Sequence, residues 1–295
     1  MEDKARVSNN RKLRKMEKRI DSIYSRASHE LKKKAEEYFS KFEKQDEAKK
    51  KLLKEGKISK GAYRQWRKSK IVYGKQFEAL KEQCAEQLLH TNETAVAYIN
   101  DQMPEVYSVG YNVLVDSVDG VGGYSFALMN PNTVKVLATT DTSLLPKKKL
   151  DPAKDIPWNM KKINAETLQG IIQGESMGDI AKRILNVQKM NKHAAIRTAR
   201  TLVTGAENKG RQDSYKRAEA DGIILQKEWL SSNEPGRTRD WHFPESFESV
   251  IVDTDEPFVN DLGEIMYPGD PSAAPGNVYN CRCSMTAVVK GFRKV

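Results

Sequence analysis

RTRDWH at residues 237–242, PGDPS at 268–272 and NCRC at 280–283 are the stretches whose reading decides the fold. They are the one closely set group of His, Cys, Asp and turn-forming residues in the sequence. His242 stands in the first, and Cys281 and Cys283, two of the three cysteines, stand in the last. Turn-forming sequence separates the pieces, so they are placed to meet at one point. Around them run short β-prone segments at 223–230, 249–254, 263–267 and 284–289, joined by Gly, Pro and Asp turns. Ahead of them the pattern is helical. Leu168, Ile171 and Ile172 share one short helix from Asn164 onward. Ser176 is placed to cap the next, which carries Ile180, Ile184 and Leu185. A third helix, about 191–220, is rich in Ala and Arg and ends at Gly222, a candidate left-handed residue. Helices followed by a small antiparallel sheet make an α+β domain over 160–295.

Farther from the cassette, residues 8–55 read as one long helix. Leu13, Met16, Ile20, Ile23, Ala27 and Leu31 recur at steps of three and four, and Tyr38, Phe39 and Phe42 continue the stripe. Gly56 breaks it, and Ser59 is placed to cap a helix through Tyr63, Trp66 and Val72. Residues 76–102 read as helical again, with Cys84 a small hydrophobe on the buried stripe. The fold class is thus α+β, with a long helical N-terminal region (1–103) ahead of the C-terminal domain. Between them, 104–159 reads as an irregular, β-prone connecting region. Tyr111–Val115 and Thr133–Thr139 look strand-like, Gly120, Gly122 and Gly123 interrupt them, and Pro146, Pro152 and Pro157 mark an exposed connection.

Charge is concentrated at one end. Residues 1–75 hold 25 Lys and Arg against 11 Asp and Glu, a net +14, although the 295-residue chain carries only +10. This is a basic arm on a near-neutral body. Lys32, Lys33, Lys34, Lys49, Lys50 and Lys51 form two clusters. Arg64, Trp66, Arg67 and Lys68 form a third, with Tyr63 interleaved. Such clusters suit phosphate contact, and the aromatic residues suit stacking on unpaired bases. The alternative for the same helix is a solvated face, with the apolar stripe packed on a partner helix. No apolar run approaches a membrane span, so no membrane anchor is expected. The stretch MEDKARVSNNRKLRK lacks the apolar core of a secretory signal. Three cysteines, an odd number, fit reducing surroundings rather than a disulfide framework.

The order AIRTARTLVTGAENKGR, then DGI, KEWLSS, RTRDWH, PGDPS and NCRC resembles the phage head morphogenesis family, the minor head proteins related to the F protein of phage Mu. The resemblance covers roughly residues 160–290. It implies a structural part of a tailed-phage or prophage head, acting in assembly at the portal or capsid interior. The implied partners are the portal and the major capsid protein, with packaged phage DNA within reach of the basic arm. The implied location is the virion, assembled in the host bacterial cytoplasm. Many members of that family carry a CxxC pair where this chain reads Arg239-Asp240-Trp241-His242. Their four-cysteine set does not carry over intact.

His242, Cys281 and Cys283 are themselves zinc-ligand types, with Asp240 or Asp270 as candidates for a fourth position. A structural zinc is the one cofactor these residues suit, and the motifs require none. The structural reading holds the same three side chains in hydrogen bonds within a small sheet. A hydrolase reading would make His242 a base and Cys281 a nucleophile, but no HExxH, GxSxG or P-loop accompanies them, so no catalytic residue and no enzyme is expected. Arg237 and Arg239 suit either a bidentate clamp on a carboxylate or phosphate or pairing with Asp240 or Asp270 that fixes the turns, Arg282 is placed to do the same, and the internal role is favoured for at least one of the three. Two other function classes remain. One is a DNA-binding accessory factor, which the basic arm favours. The other is a metal-dependent nuclease or toxin-like effector, which would need nucleic-acid turnover dependent on His242.

Overall fold

A computed structural model of the chain describes residues 4–114, 130–141, 143–233 and 236–293. Its elements are α1 (Lys4–Ser40), α2 (Glu43–Lys54), α3 (Lys60–Arg67), a π turn (Lys68–Val72), α4 (Lys75–Tyr111), α5 (Pro131–Thr140), α6 (Pro152–Gln173) and α7 (Met177–Ala220). Then come β1 (Ile223–Leu230), β2 (Ile251–Asp253), β3 (Phe258–Asn260), β4 (Gly263–Ile265), α8 (Pro275–Val278) and β5 (Ser284–Phe292). The architecture is α+β: long helices first, a small antiparallel sheet last. Among the described residues no helix is long and apolar enough to cross a membrane.

The chain divides into two compact units. One contains Met1–Glu17, Tyr98–Lys148 and Ile196–Val295; the other contains Lys18–Ala97 and Lys149–Ala195. The division is not linear, because α1, α4 and α7 each contribute a segment to both. The segments 1–103, 104–159 and 160–295 therefore do not coincide with it.

The second unit is all helical around a core that includes Leu31, Phe39, Ile71, Phe77, Leu88, Ile163, Ile171, Ile180 and Ile184. The single helix expected over 8–55 is two helices. The break falls just after Ser40, where Tyr38, Phe39, Phe42 and Phe77 cluster, with Tyr38 ring centroids 5.1, 5.4 and 5.9 Å from the other three. The stripe of α1 is centred differently from its apolar pattern. Tyr24 is buried where Ile23 and Ala27 are half-buried, because its hydroxyl donates to Asn92 Oδ1 at 2.6 Å. Ser59 caps α3, accepting from the Ala62 amide at 3.0 Å. Ser176 caps α7, accepting from the Asp179 amide at 3.1 Å.

Three expectations for the connecting region fail. Thr133–Thr139 lies in α5, not in a strand. The Asn130 side chain accepts from the Asn132 amide and Pro131 supplies the first helical position, so a strong N-terminal signal overrides the weak β preference of Thr and Val. Tyr111 closes α4 rather than opening a strand. Pro152 begins α6 about three turns before the helix expected from Asn164, with Asp155 favourably placed in the first turn. Val115, Gly120, Gly122 and Gly123 lie outside the described residues. The two helices expected over 177–220 are one continuous α7 of 44 residues.

In the first unit β1 is the centre of a three-stranded antiparallel sheet ordered β2-β1-β5. Trp229 pairs with Met285 and Gln226 with Asp253, and the ladder is bulged between Ile224 and Leu225. β1 alternates as half-buried strands do, with Ile223, Leu225, Lys227 and Trp229 facing inward. The chain enters β1 through Gly222, whose φ of +94° a side chain would resist. β3 and β4 form a separate hairpin. β3 was absent from the strands read in the sequence.

Candidate metal centre

The helix carrying TLVTGAENKGR holds the cassette through one face. Thr201, Thr204, Gly205, Asn208 and Arg211 recur at helical spacing along α7. Thr201 Oγ1 accepts from the Asn280 amide at 2.8 Å, and Thr204 Oγ1 donates to the Cys281 carbonyl at 2.6 Å. Asn208 Nδ2 donates to the Cys283 carbonyl at 3.3 Å, and Arg211 donates to the Met285 carbonyl at 2.9 Å. Asn280 takes a positive φ of 59°, which turns the chain so that both cysteines point inward. Gly205 is required by a close approach: a Cβ there would lie 2.8 Å from the Gly269 carbonyl oxygen of PGDPS. Gly269 is left-handed at φ +82°. Beside it, Asp270 accepts from the Met266 amide at 3.1 Å and from the Ser272 amide and hydroxyl at 2.9 and 2.6 Å.

This frame brings His242, Cys281 and Cys283 together, all three buried. His242 closes a short 3-10 turn, Asp240–His242. Its Nδ1 lies 3.6 Å from Cys281 Sγ and 3.7 Å from Cys283 Sγ. One ligand atom from each residue falls within a 4.8 Å set. On the far side of the ring, Nε2 is 3.3 Å from Asn277 Oδ1. Asn277 and Asn260 exchange two amide hydrogen bonds, at 3.1 and 3.2 Å, and Asn260 also donates to the Trp241 carbonyl at 2.8 Å. Trp229 packs edge-on to the imidazole at 5.4 Å, and its indole N–H donates to the His242 carbonyl.

The two thiols differ electrostatically. Cys283 is held well below the usual thiol range, by a hydrogen bond from Cys281 and then by His242, against the opposing effect of burial. Cys281 is pushed up by the same hydrogen bond, in which it keeps its proton, and by burial. Two buried sulfurs so close share one proton more readily than they carry two charges.

The other singled-out residues are placed as follows. Asp240 and Asp270 are not in the ligand set: Asp240 is exposed, and Asp270 is engaged in its own turn. The Arg239 guanidinium donates to the Tyr279 carbonyl. Arg237 is exposed and Arg282 half-buried. Neither Asn260 nor Asn277 was singled out in the sequence, since asparagines beside Gly and Pro look like ordinary turn residues.

In the basic region, Lys32 and Lys33 are exposed and sit 3.7 and 3.9 Å from Glu36 and Glu37, one helical turn on. Lys51 is exposed, and Lys34, Lys49, Lys50, Arg64, Trp66 and Lys68 are half-buried. Lys50 lies 3.2 Å from Asp46, Arg64 donates to the Ile172 carbonyl at 2.9 Å, and Trp66 stacks on Tyr63. Arg67 does not belong with them. It is fully buried, with Nε 3.1 Å from Asp46 Oδ1, while Tyr63 donates to the same oxygen at 2.7 Å. Tyr63 and Arg67 are one turn apart on the inner face of α3, so this arginine serves the core rather than a surface.

Residues 161–286 match the family described as Phage Mu protein F like protein. The chain is 29% identical over 129 residues to minor head protein GP7 of Bacillus phage SPP1, and 30% identical over 125 residues to the NAD(+)--arginine ADP-ribosyltransferase EFV of Enterococcus faecalis (strain ATCC 700802 / V583). Each match takes in 42% of this chain, but only 39% of the head protein and 25% of the transferase. No solved structure matches. Residues 161–286, which contain α7 and the cassette that it grips, are thus similar to the family described as Phage Mu protein F like protein.

Proposed function

We propose that this protein is a minor head protein of a tailed phage or prophage, acting during head assembly at the portal or the capsid interior. One observation carries the reading: residues 161–286 match the family described as Phage Mu protein F like protein, and the chain also matches a minor head protein. The domain works by packing rather than by chemistry. Its chemically distinctive side chains, His242, Cys281 and Cys283, are buried against backbone clamps from α7 rather than presented in an open cleft. The transferase shares only a quarter of its length with this chain, so its activity belongs to that protein.

The test is co-expression of the full chain with the portal, scaffold and major capsid proteins of the same genome, followed by purification of the particles. The chain should be retained by portal-bearing particles. Recovery of particles that never contain it would overturn the reading.

A second role concerns DNA. The net +14 of residues 1–75 and the exposed Lys32, Lys33 and Lys51 favour non-specific contact with packaged DNA. Lys34, Lys49, Lys50, Arg64, Trp66 and Lys68 extend that set, and Arg67 is excluded by its burial. Salt-independent binding, or none, would remove this role without touching the first.

A further inference from the structure

We infer that His242 Nδ1, Cys281 Sγ and Cys283 Sγ bind one zinc ion, and that the Asn260–Asn277 amide pair positions the imidazole to do so. The inference is independent of the head-protein reading and stands on the geometry of three buried side chains.

Tetrahedral zinc, with Zn–N about 2.05 Å and Zn–S about 2.3 Å, holds its nitrogen and sulfur donors about 3.6 Å apart. The two distances from His242 Nδ1 to sulfur are 3.6 and 3.7 Å. Hydrogen bonding alone explains this less well. A ring nitrogen has one lone pair or one proton, and serves one sulfur at a time. Two sulfurs at nearly equal distance from one nitrogen are arranged around a common point instead.

The tautomer agrees. Asn277 Oδ1 accepts from Asn260 Nδ2, so the atom that faces His242 Nε2 at 3.3 Å is an acceptor. Nε2 must then carry the proton, which leaves the lone pair on Nδ1, the nitrogen that faces both sulfurs. Metal-bound histidines are commonly oriented by such a second hydrogen bond on the far nitrogen.

Charge and support agree as well. Two thiolates, a neutral imidazole and a dication sum to zero, which is what a site this buried can accommodate. Amide N–H groups point at the sulfurs: that of Cys283 lies 3.4 Å from Cys281 Sγ, and that of Ser232 bonds Cys283. Thiolate ligands select soft or borderline ions, and a nitrogen with two sulfurs suits zinc. Among the described residues no further His, Cys, Asp or Glu joins the set, so the protein supplies three ligands.

The experiment uses the full chain, purified with its affinity tag removed and reconstituted with zinc, then assayed by elemental mass spectrometry. One zinc per chain is expected, lost in Cys281→Ser and in Cys283→Ser. Asn277→Ala should keep the stoichiometry but bind roughly 10- to 100-fold more weakly in competition with a chromophoric chelator. A packing role for Asn277 would leave that affinity unchanged. Should the serine variants fail to fold, cobalt(II) loading of the native chain decides. Thiolate-to-cobalt charge-transfer bands with tetrahedral visible absorption support the site. A chain that takes up no metal and melts identically with and without zinc overturns it, as does a cobalt spectrum without thiolate bands.

Discussion

Gly210→Ala measures how closely α4 and α7 approach inside the first unit. A Cβ at Gly210 would lie 2.3 Å from the Tyr107 carbonyl oxygen and 2.8 Å from the Tyr111 amide nitrogen. The facing Gly110 is as tight, with a Cβ 2.1 Å from the Glu207 carbonyl oxygen. Ordinary carbon contacts begin near 3.4 Å, so the helices must separate by about 1 Å, and the obstructing atoms are backbone that cannot rotate away. Two effects compete. Alanine in a helix interior is better than glycine by about 1 kcal/mol. Overpacking a fitted contact costs about 1–3 kcal/mol, and against backbone the upper end applies. The net expectation is a loss of about 2 kcal/mol. Gly178→Ala, near the start of α7, is the control: its nearest atom is the flexible Ser176 hydroxyl at 4.0 Å, so propensity wins and the variant gains up to about 1 kcal/mol. Urea unfolding followed by circular dichroism reads both. If Gly210→Ala proves as stable as the native chain, or more so, the close crossing is wrong.

Other consequences concern charge. Lys227 faces inward from β1, fully buried, donating to the Met266 carbonyl at 2.8 Å above the Phe258 ring. Burial lowers it to about 8. Between about pH 8 and its ordinary value of about 10.5 the folded state holds fewer protons than the unfolded one, so its contribution to stability rises with pH across that window. Below pH 8 both states are charged, and folding carries a penalty of roughly 3 kcal/mol at 1.36 kcal/mol per pH unit. Lys227→Met should abolish this part of the pH dependence in paired denaturation curves at pH 7 and 10; identical curves for both proteins would refute it. Asp46→Ala leaves the Arg67 guanidinium buried without its carboxylate and should cost about 3–5 kcal/mol. The double variant Asp46→Ala/Arg67→Met should recover much of that loss, and calorimetry of the three proteins checks it. DNA affinity, measured by fluorescence anisotropy, should fall by at least about a hundredfold between about 50 and 200 mM salt if five or more phosphates are neutralised. Alanine at Lys32, Lys33 and Lys51 should flatten that slope.

Much of the fold was legible because its signals are local. Ser59 and Ser176 cap the helices they were expected to cap, Gly222 is left-handed, and β1 has the bounds that its alternation indicated. The errors lie where propensity was set against a cap or a distant contact. Thr133–Thr139 is rich in Thr and Val, yet Asn130 and Pro131 start a helix there. Arg67 looked like its basic neighbours, and only the fold shows Asp46 waiting for it. The cassette residues were readable by type, since His and Cys are few. Their support was not. Asn260 and Asn277 are common turn residues whose pairing spans 17 positions, and the Thr204 and Asn208 clamps act across more than 70. Pairing over such separations leaves no periodic trace in one sequence.

The most direct test of the account is the protein content of assembled heads. Particles built from the portal, scaffold and major capsid proteins of the same genome would be purified and analysed by quantitative mass spectrometry, with the native chain and with Gly210→Ala. The native chain should be present in the particles, and the destabilised Gly210→Ala chain depleted from them. Particles that assemble fully while the native chain remains in the soluble fraction would contradict it.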